Sequence, residues 1–416
     1  MKQVSLRELV LDRNRACILL FEFLWGVAIP FVYHQTVVPG FLQSLGVAAT
    51  WVGLGPAMHN GLLAVVQPIS AYRFRPGVRR ARALRIVYSF VGLAYFGLGG
   101  IVWIQRPEPG VAFALTMGAL ALAATATGVG DPCYQNLVVE SIPDGARGRF
   151  FAMRLAFVGL GGLLGGQFAE AALRGSRDQA GYAMSFMLGG VLILISTFSL
   201  APFRDGEVEE RPRAVSFMEH LSGRVGPLLK DRAFRGFLIS VLLFALSVTV
   251  FPFLALLVRS RLNEGPGILG VLGGLAMGAN LVMSGVLGVV SDRRGPRAAF
   301  GLGLVCVGLG VLGCLVATER AALYLCYFFA ACFMPAQMVG ATNLALRLAE
   351  RVPGNISPAE TTSVMMAIST PVRILGPILS GAILQAAPGP TVYILSVTLA
   401  GCSVAALFLA RTGAER

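Results

Sequence analysis

Apolar runs of about 20 residues recur along the whole chain, each closed by a short polar turn. Gly267 to Leu287 carries no charge, and the turn that follows, "GVVSDRRGPR" from Gly288 to Arg297, holds one acid and three arginines. A helix needs about 20 mostly apolar residues to cross the hydrocarbon of a bilayer. On that measure the pattern predicts twelve spanning helices, at 16–38, 49–71, 84–105, 111–138, 152–172, 181–202, 235–258, 267–290, 298–317, 321–345, 359–385 and 390–410. They are numbered here as spans one to twelve.

Composition supports lipid as the solvent. The 416 residues are 56% hydrophobic and only 13% charged, with a mean hydropathy of +0.73. Soluble domains carry about a quarter charged residues. The net charge is +13 and the pI about 10.0, values that would also suit a nucleic-acid binder. That class is excluded because the basic residues sit in short turns between apolar runs and not on one polar domain. Apart from Lys2 and Lys230 the positive charge is arginine, as expected of a GC-rich genome.

The arginines set a direction. The turn between spans two and three holds Arg73, Arg75, Arg79, Arg80, Arg82 and Arg85, and the turns on that side of the predicted membrane carry most of the basic residues. Lys and Arg favour the cytoplasmic side, so both termini are expected in the cytoplasm. The N-terminal "MKQVSLRELVLDRNR" mixes both charge signs ahead of a long apolar run, which suits a first spanning helix better than a cleaved leader. Seven cysteines all fall in apolar runs without metal-ligand spacing and read as small hydrophobes.

The longest polar stretch, Pro202 to Arg235, follows span six. It divides the chain into a six-helix bundle at 1–202, a linker at 203–234 and a second bundle at 235–416. Internal echoes point to duplication. "ESIP" from Glu140 ends span four and "ERVP" from Glu350 ends span ten; "GGLLGG" at 161–166 answers "GPILSG" at 376–381; Ala57-Met58 in span two answers Ala276-Met277 in span eight.

With this plan in place, the turn between spans eight and nine becomes specific. Gly288, Asp292, Arg293, Gly295 and Arg297 resemble the G-x-x-x-D-R-x-G-x-R turn of the major facilitator superfamily, at that family's second-half position. "LLKDRAFRGFL" entering span seven is also similar to the family. The resemblance implies an all-α integral membrane fold of two pseudo-symmetric six-helix bundles. It further implies a central cavity lined mainly by spans one, four, seven and ten, access that alternates by rocking, and a place in a bacterial inner membrane. In the family this turn helps latch the halves; the alternative is an ordinary positive-inside loop. Gly288 is expected to permit close helix approach and Gly295 a tight turn. Asp292 is expected to cap the next helix or pair with a neighbouring arginine, and Arg293, Arg294 and Arg297 to hold the turn at the cytoplasmic face. The first-half copy, "SAYRFRPGVRR" from Ser70, keeps Gly77 but has no acid.

No catalytic constellation, nucleotide motif, metal site or cofactor motif is present in the sequence. The expected partners are a small-molecule substrate, protons and the lipid bilayer, with no nucleic acid; a monomer suffices. Ionisable groups within spans are costly and are therefore candidate functional groups. Glu22 in span one can bind and release a proton, with Trp25, Gly26 and Tyr33 near its face; the alternative is a structural acid bonded to a neighbouring helix. Asp131 in span four precedes Pro132, which bends helices, and Tyr134 and Gln135 follow one turn on; the alternative is a kink stabiliser.

Arg373 lies mid-span in eleven, about 22 Å beyond a capping box at Ser357 to Glu360. It needs a protein acid, carbonyls or an anionic solute. His34, His59 and Asn60 are further polar groups of the first half. Asn280, Gln337 and Asn343 belong to the second, and Phe251-Pro252-Phe253 predicts a bend in span seven. Drug–proton antiporters of the superfamily often carry an arginine in span four and Gly-Pro in span five; neither is present, and Gly376-Pro377 sits in span eleven instead. The reading is a secondary transporter of a small organic solute, proton-coupled. The alternatives are a uniporter or exchanger of anionic or amphipathic solutes centred on Arg373, and a non-transporting assembly or cofactor-delivery factor of the same fold.

Overall fold

In the computed structural model residues 12–73, 80–142, 147–174, 179–205, 230–351 and 358–409 are described. The regular structure among them is entirely helical. Eleven helical segments among these residues are long and apolar enough to cross a membrane. The twelfth expected span, Ala49–Arg73, is a helix of 25 residues, but His59, Asn60 and Gln67 dilute its apolar character. Large side chains such as Ile104, Phe168 and Leu309 are exposed on these rods, a surface that water would penalise and acyl chains accept.

Two compact units emerge from the packing. The first comprises Met1–Val47, Met58–Pro212 and Asn263–Leu281; the second comprises Ala48–Ala57, Arg213–Leu262 and Val282–Arg416. Inside the first, span one (Arg13–Val32, continued by Val37–Ser44) packs on spans five (Arg147–Arg174) and six (Gln179–Phe198). Span three (Arg80–Gln105) packs on spans four (Pro109–Glu140) and six. The second unit repeats these pairings. Span seven (Arg232–Ser247, continued by Phe251–Arg261) packs on spans eleven (Pro358–Ala386) and twelve (Thr391–Leu409). Span nine (Pro296–Val316) packs on spans ten (starting at Arg320–Ala330) and twelve. Span eight is Ile268–Arg294.

The duplication is visible at equivalent atoms. Span one is N-capped by Asp12, whose carboxylate accepts from the Arg15 amide at 3.1 Å. Span seven is N-capped by Asp231, which accepts from the Phe234 amide at 2.7 Å. The two caps are as far apart in sequence as the two Ala-Met pairs. Serines of span six donate to span one carbonyls, Ser185 to Phe31 at 2.7 Å and Ser196 to Phe21 at 2.8 Å. Span twelve does the same to span seven through Ser396 to Ser247 at 2.6 Å. The glycine-rich echo also has a structural meaning. Side-chain growth at Gly161 would strike the Phe23 carbonyl of span one, and at Gly162 the Met277 side chain of span eight. In the second unit, growth at Gly376 would strike Thr249 of span seven, and at Gly381 the Ala49 carbonyl of span two. Small residues let backbones touch where no hydrophobic force drives helices together. Pro143 and Pro353, the last residues of the other echo, lie outside the described residues.

Spans seven and ten of the second unit are broken. Span seven passes through a 3-10 turn at Val248–Val250 just before Pro252, where the sequence predicted a bend. Span ten ends its first helix at Ala330, then winds as a π-helix over Ala336–Ala341 before Thr342–Ala349. The breaks meet at Phe251, whose ring lies 5.1 Å from that of Tyr327 and 4.7 Å from that of Phe333. Hydroxyls donate to carbonyls beside the breaks: Tyr393 to Phe253 at 3.1 Å, and Thr342 to Gln337 at 3.1 Å. Such bonds help irregular backbone persist at membrane depth.

The packing of spans one and five gives a direct test. A Cβ on Gly26 would run into the Val158 carbonyl, so Gly26→Ala is expected to destabilise the purified protein by about 1–3 kcal/mol. Gly97→Ala, where a Cβ would meet nothing within 4 Å among the described residues, is expected to leave the detergent melting temperature unchanged.

Candidate functional site

Five helices of the first unit converge on two carboxylates. Glu22, on span one, is buried. Arg154 of span five reaches it with Nε 2.6 Å from Oε1, and its Nη2 completes the ion pair on the same oxygen. Tyr134 of span four donates its hydroxyl to that oxygen at 2.7 Å. The Arg154 guanidinium also lies over the Tyr134 ring at 5.1 Å and the Phe151 ring at 5.2 Å, geometry that favours a partly desolvated cation. All three protein donors fall on Oε1.

Asp131, one turn before Tyr134 on span four, is held differently. Tyr88 of span three donates to Oδ1 at 2.9 Å, and Gln67 of span two donates to Oδ2 at 2.8 Å. Both donors are neutral. Gly130 makes room for this arrangement, since growth there would collide with the Tyr88 ring. Aromatic rings bridge the two acids. Phe21 lies 4.9 Å from Tyr134, 5.7 Å from Tyr88 and 5.4 Å from Trp25 between ring centroids, and Trp25 lies 5.2 Å from Tyr88.

The sequence candidates are thus partly brought together. Glu22, Trp25, Tyr134 and Asp131 share one cluster. Gln135 does not join it: the side chain is exposed, and the amide at Asp131 comes from Gln67 instead. Tyr33 is buried and sits edge-on to His34 at 5.2 Å, away from Glu22. His34 and His59 stack with centroids 3.9 Å apart, and the Nδ1 of His59 is buried without a partner among the described residues. Asn60 and Asn280 are half-buried. Gln337 lies in the π-helix of span ten and donates to the Met366 sulfur at 3.7 Å. Arg373 lies in span eleven between Pro371 and Pro377, with its Nε buried and unpartnered among the described residues.

Arg154, Tyr88 and Gln67 escaped the sequence reading. Arg154 follows Arg147 and Arg149 and passes for the end of a basic turn. The helix in fact begins at Arg147, so Arg154 sits two turns in, about 10 Å. The phenylalanines and methionine between were the available signal. Tyr88 and Gln67 look like ordinary span residues until the fold aims them at Asp131.

The turn after span eight departs from expectation at two positions. Span eight stays helical to Arg294, and Gly295 adopts φ +86° at the start of span nine, the tight turn expected of glycine. Asp292, however, does not cap span nine, whose N-cap is Gly295 without a side-chain bond; carried on the helix of span eight, the carboxylate is exposed. A Cβ on Gly288 would meet nothing within 4 Å among the described residues, so the close helix approach expected there is not seen. Arg293 and Arg294 are exposed and Arg297 is half-buried. Ser357 of the expected capping box lies outside the described residues, and Pro358 opens the helix.

Comparison with known proteins places this geometry in context. The family model of the Major Facilitator Superfamily matches residues 91–370. A bacterial homolog of the human lysosomal transporter Spinster superposes with a TM-score of 0.65 at 14% identity, covering 96% of each chain. A bacterial homologue of the iron transporter ferroportin gives 0.69 at 14% identity, over 96% of this chain and 99% of that one. The nucleoside transporter NupG gives 0.67 at 15% identity, over 96% and 98%. No match is found among curated proteins. These likenesses share a fold while their names carry different cargoes.

The ion pair is testable by deletion of one partner. Arg154→Gln leaves Glu22 as a buried carboxylate without its cation, and is expected to cost about 3–5 kcal/mol. Adding Glu22→Gln is expected to recover most of that loss, measured as thermal unfolding of the single and double variants in one detergent.

Proposed function

Because the chain belongs to the Major Facilitator Superfamily, we propose that it is a secondary active transporter that moves a small organic solute by alternating access and couples that movement to protons. The halves that alternate are residues 1–202 and 235–416, joined by the linker at 203–234. The protein works as a monomer in a bacterial inner membrane with both termini in the cytoplasm, the orientation that the arginine-rich turns favour.

The observation that carries the coupling is the pair of carboxylates in the first unit, with unequal partners. Glu22 has a dedicated cation, Arg154; Asp131 has two neutral donors, Tyr88 and Gln67. An ionised carboxylate without a counter-ion is expensive at membrane depth, and a proton removes the expense. Asp131 is therefore the group that takes and releases the proton. Glu22 responds through Arg154: protonation of Glu22 weakens the ion pair and lets span five move against span one. The aromatic cluster of Phe21, Trp25, Tyr88 and Tyr134 ties the two acids together, so a change at one is felt by packing at the other.

Transport in proteoliposomes, with and without an imposed pH gradient, tests this. Accumulation is expected to follow the gradient in the native protein. Asp131→Asn is expected to abolish gradient-driven accumulation while leaving exchange of solute across the membrane. Glu22→Gln is expected to weaken both. Transport that ignores the gradient, and survives both substitutions together, removes the coupling.

A further inference from the structure

Arg373 is a cation in the middle of a spanning helix of the second unit. It stands fifteen residues after Pro358, about 22 Å along the helix. The exposed stripe of span eleven runs through Ala367, Pro371, Leu375 and Leu379. Arg373 is on the opposite face, with buried Ser369, Gly376 and Ser380. It therefore points into the protein and not toward lipid, and its Nε is buried with no hydrogen-bond partner among the described residues.

Among the described side chains of the second unit, no acid is placed to serve it. Asp231 caps the start of span seven, Asp292 is exposed near the end of span eight, Glu319 precedes span ten and Glu350 follows it. All four stand at helix ends. Arg154 of the first unit shows the usual solution, a carboxylate and two rings around the guanidinium. Arginine cannot discharge by losing its proton, and an unneutralised charge at this depth costs several kcal/mol by insertion scales. A fold that retains such a group has a use for the missing anion.

A second polar group on the same side is also under-used. Gln337 sits on the π-helix of span ten, a distortion frequent at functional sites, and among the described residues its amide N–H reaches the Met366 sulfur, a weak acceptor. Met366 precedes Arg373 by two turns on one helix face. The Arg373 guanidinium and the Met366 sulfur that Gln337 contacts thus lie on one face of span eleven, two turns apart.

We propose that the transported solute is an organic anion, with its carboxylate, phosphate or sulfonate held by Arg373 and a second polar group held by Gln337. This rests on the reading of the chain as a transporter and adds the class of its solute. Arg373 is then the counter-ion of the cargo, and the empty protein carries its charge uncompensated.

Two measurements on the full-length protein in phosphatidylcholine nanodiscs test this. The first needs no ligand. Arg373→Gln is expected to raise the melting temperature of the unliganded protein, because it removes an unpaired charge; a fall would mean that Arg373 is paired within the protein, and would overturn the proposal. The second compares benzoate, phenylphosphate and benzenesulfonate with benzyl alcohol and benzylammonium. At least one anion is expected to raise the melting temperature of the native protein, the neutral and cationic probes are not, and Arg373→Gln is expected to lose the anion response while Arg373→Lys keeps part of it. No response to any anion, or an equal response to benzyl alcohol, overturns the proposal. A response that appears only when phosphatidylglycerol is added to the disc, and vanishes in Arg373→Gln, assigns the arginine to a lipid headgroup and also overturns it. The outcome is separable from proton coupling. The Glu22→Gln and Asp131→Asn proteins are expected to keep the anion response, and an Arg373-dependent response with gradient-independent transport would sink the coupling alone.

Discussion

The interior of a bilayer supplies no hydrogen bond and no counter-ion, so each polar group carried into it must find its partner within the protein. That constraint explains most of what is ordered here. Serines of span six close onto carbonyls of span one, and Ser396 of span twelve closes onto span seven. Where spans seven and ten break, the Tyr393 and Thr342 hydroxyls donate to the nearby carbonyls of Phe253 and Gln337. Arg154 enters the first unit only with Glu22 and Tyr134 around it. Groups that meet the constraint hold the scaffold; groups that do not are the places where something else must bind.

Because lipid tails are as apolar as leucine, hydrophobicity does not press one helix on another in this solvent. Shape does that work instead. Gly161 and Gly165 press span five against the backbone of span one, and the short approach lets Arg154 reach Glu22. A side chain at those glycines would separate the helices and the ion pair together. Packing and electrostatics are thus one property of the span one–span five contact.

The two units share a pairing plan but differ in chemistry. In the first, five helices bring together two acids, one arginine and a block of aromatic rings. In the second, spans seven and ten are broken, and Arg373 lies mid-helix on span eleven. Duplication supplied equivalent backbones, and substitution then gave one half titratable carboxylates and the other a fixed cation. The proton site and the anion site proposed above are each built from the helices of one unit.

The sequence by itself determined the solvent, the approximate limits of the spans, the duplicated plan and the family. These follow from transfer of successive residues into lipid, a one-dimensional quantity that a run of 20 residues reports without reference to its neighbours. It also singled out Glu22, Asp131 and Arg373, because a charge inside an apolar run stands out. Only the tertiary structure decided who meets whom: Arg154 at Glu22, Tyr88 and Gln67 at Asp131, no partner among the described residues for the Nε of Arg373, and Asp292 left exposed without a cap to make. Tyr88 and Gln67 precede Asp131 by tens of residues on other helices, and their meeting depends on the rotation of each rod about its axis and on the glycine contacts that fix the spacing. Rotation and spacing are set by side-chain packing between helices, and the order of residues along one helix does not contain them.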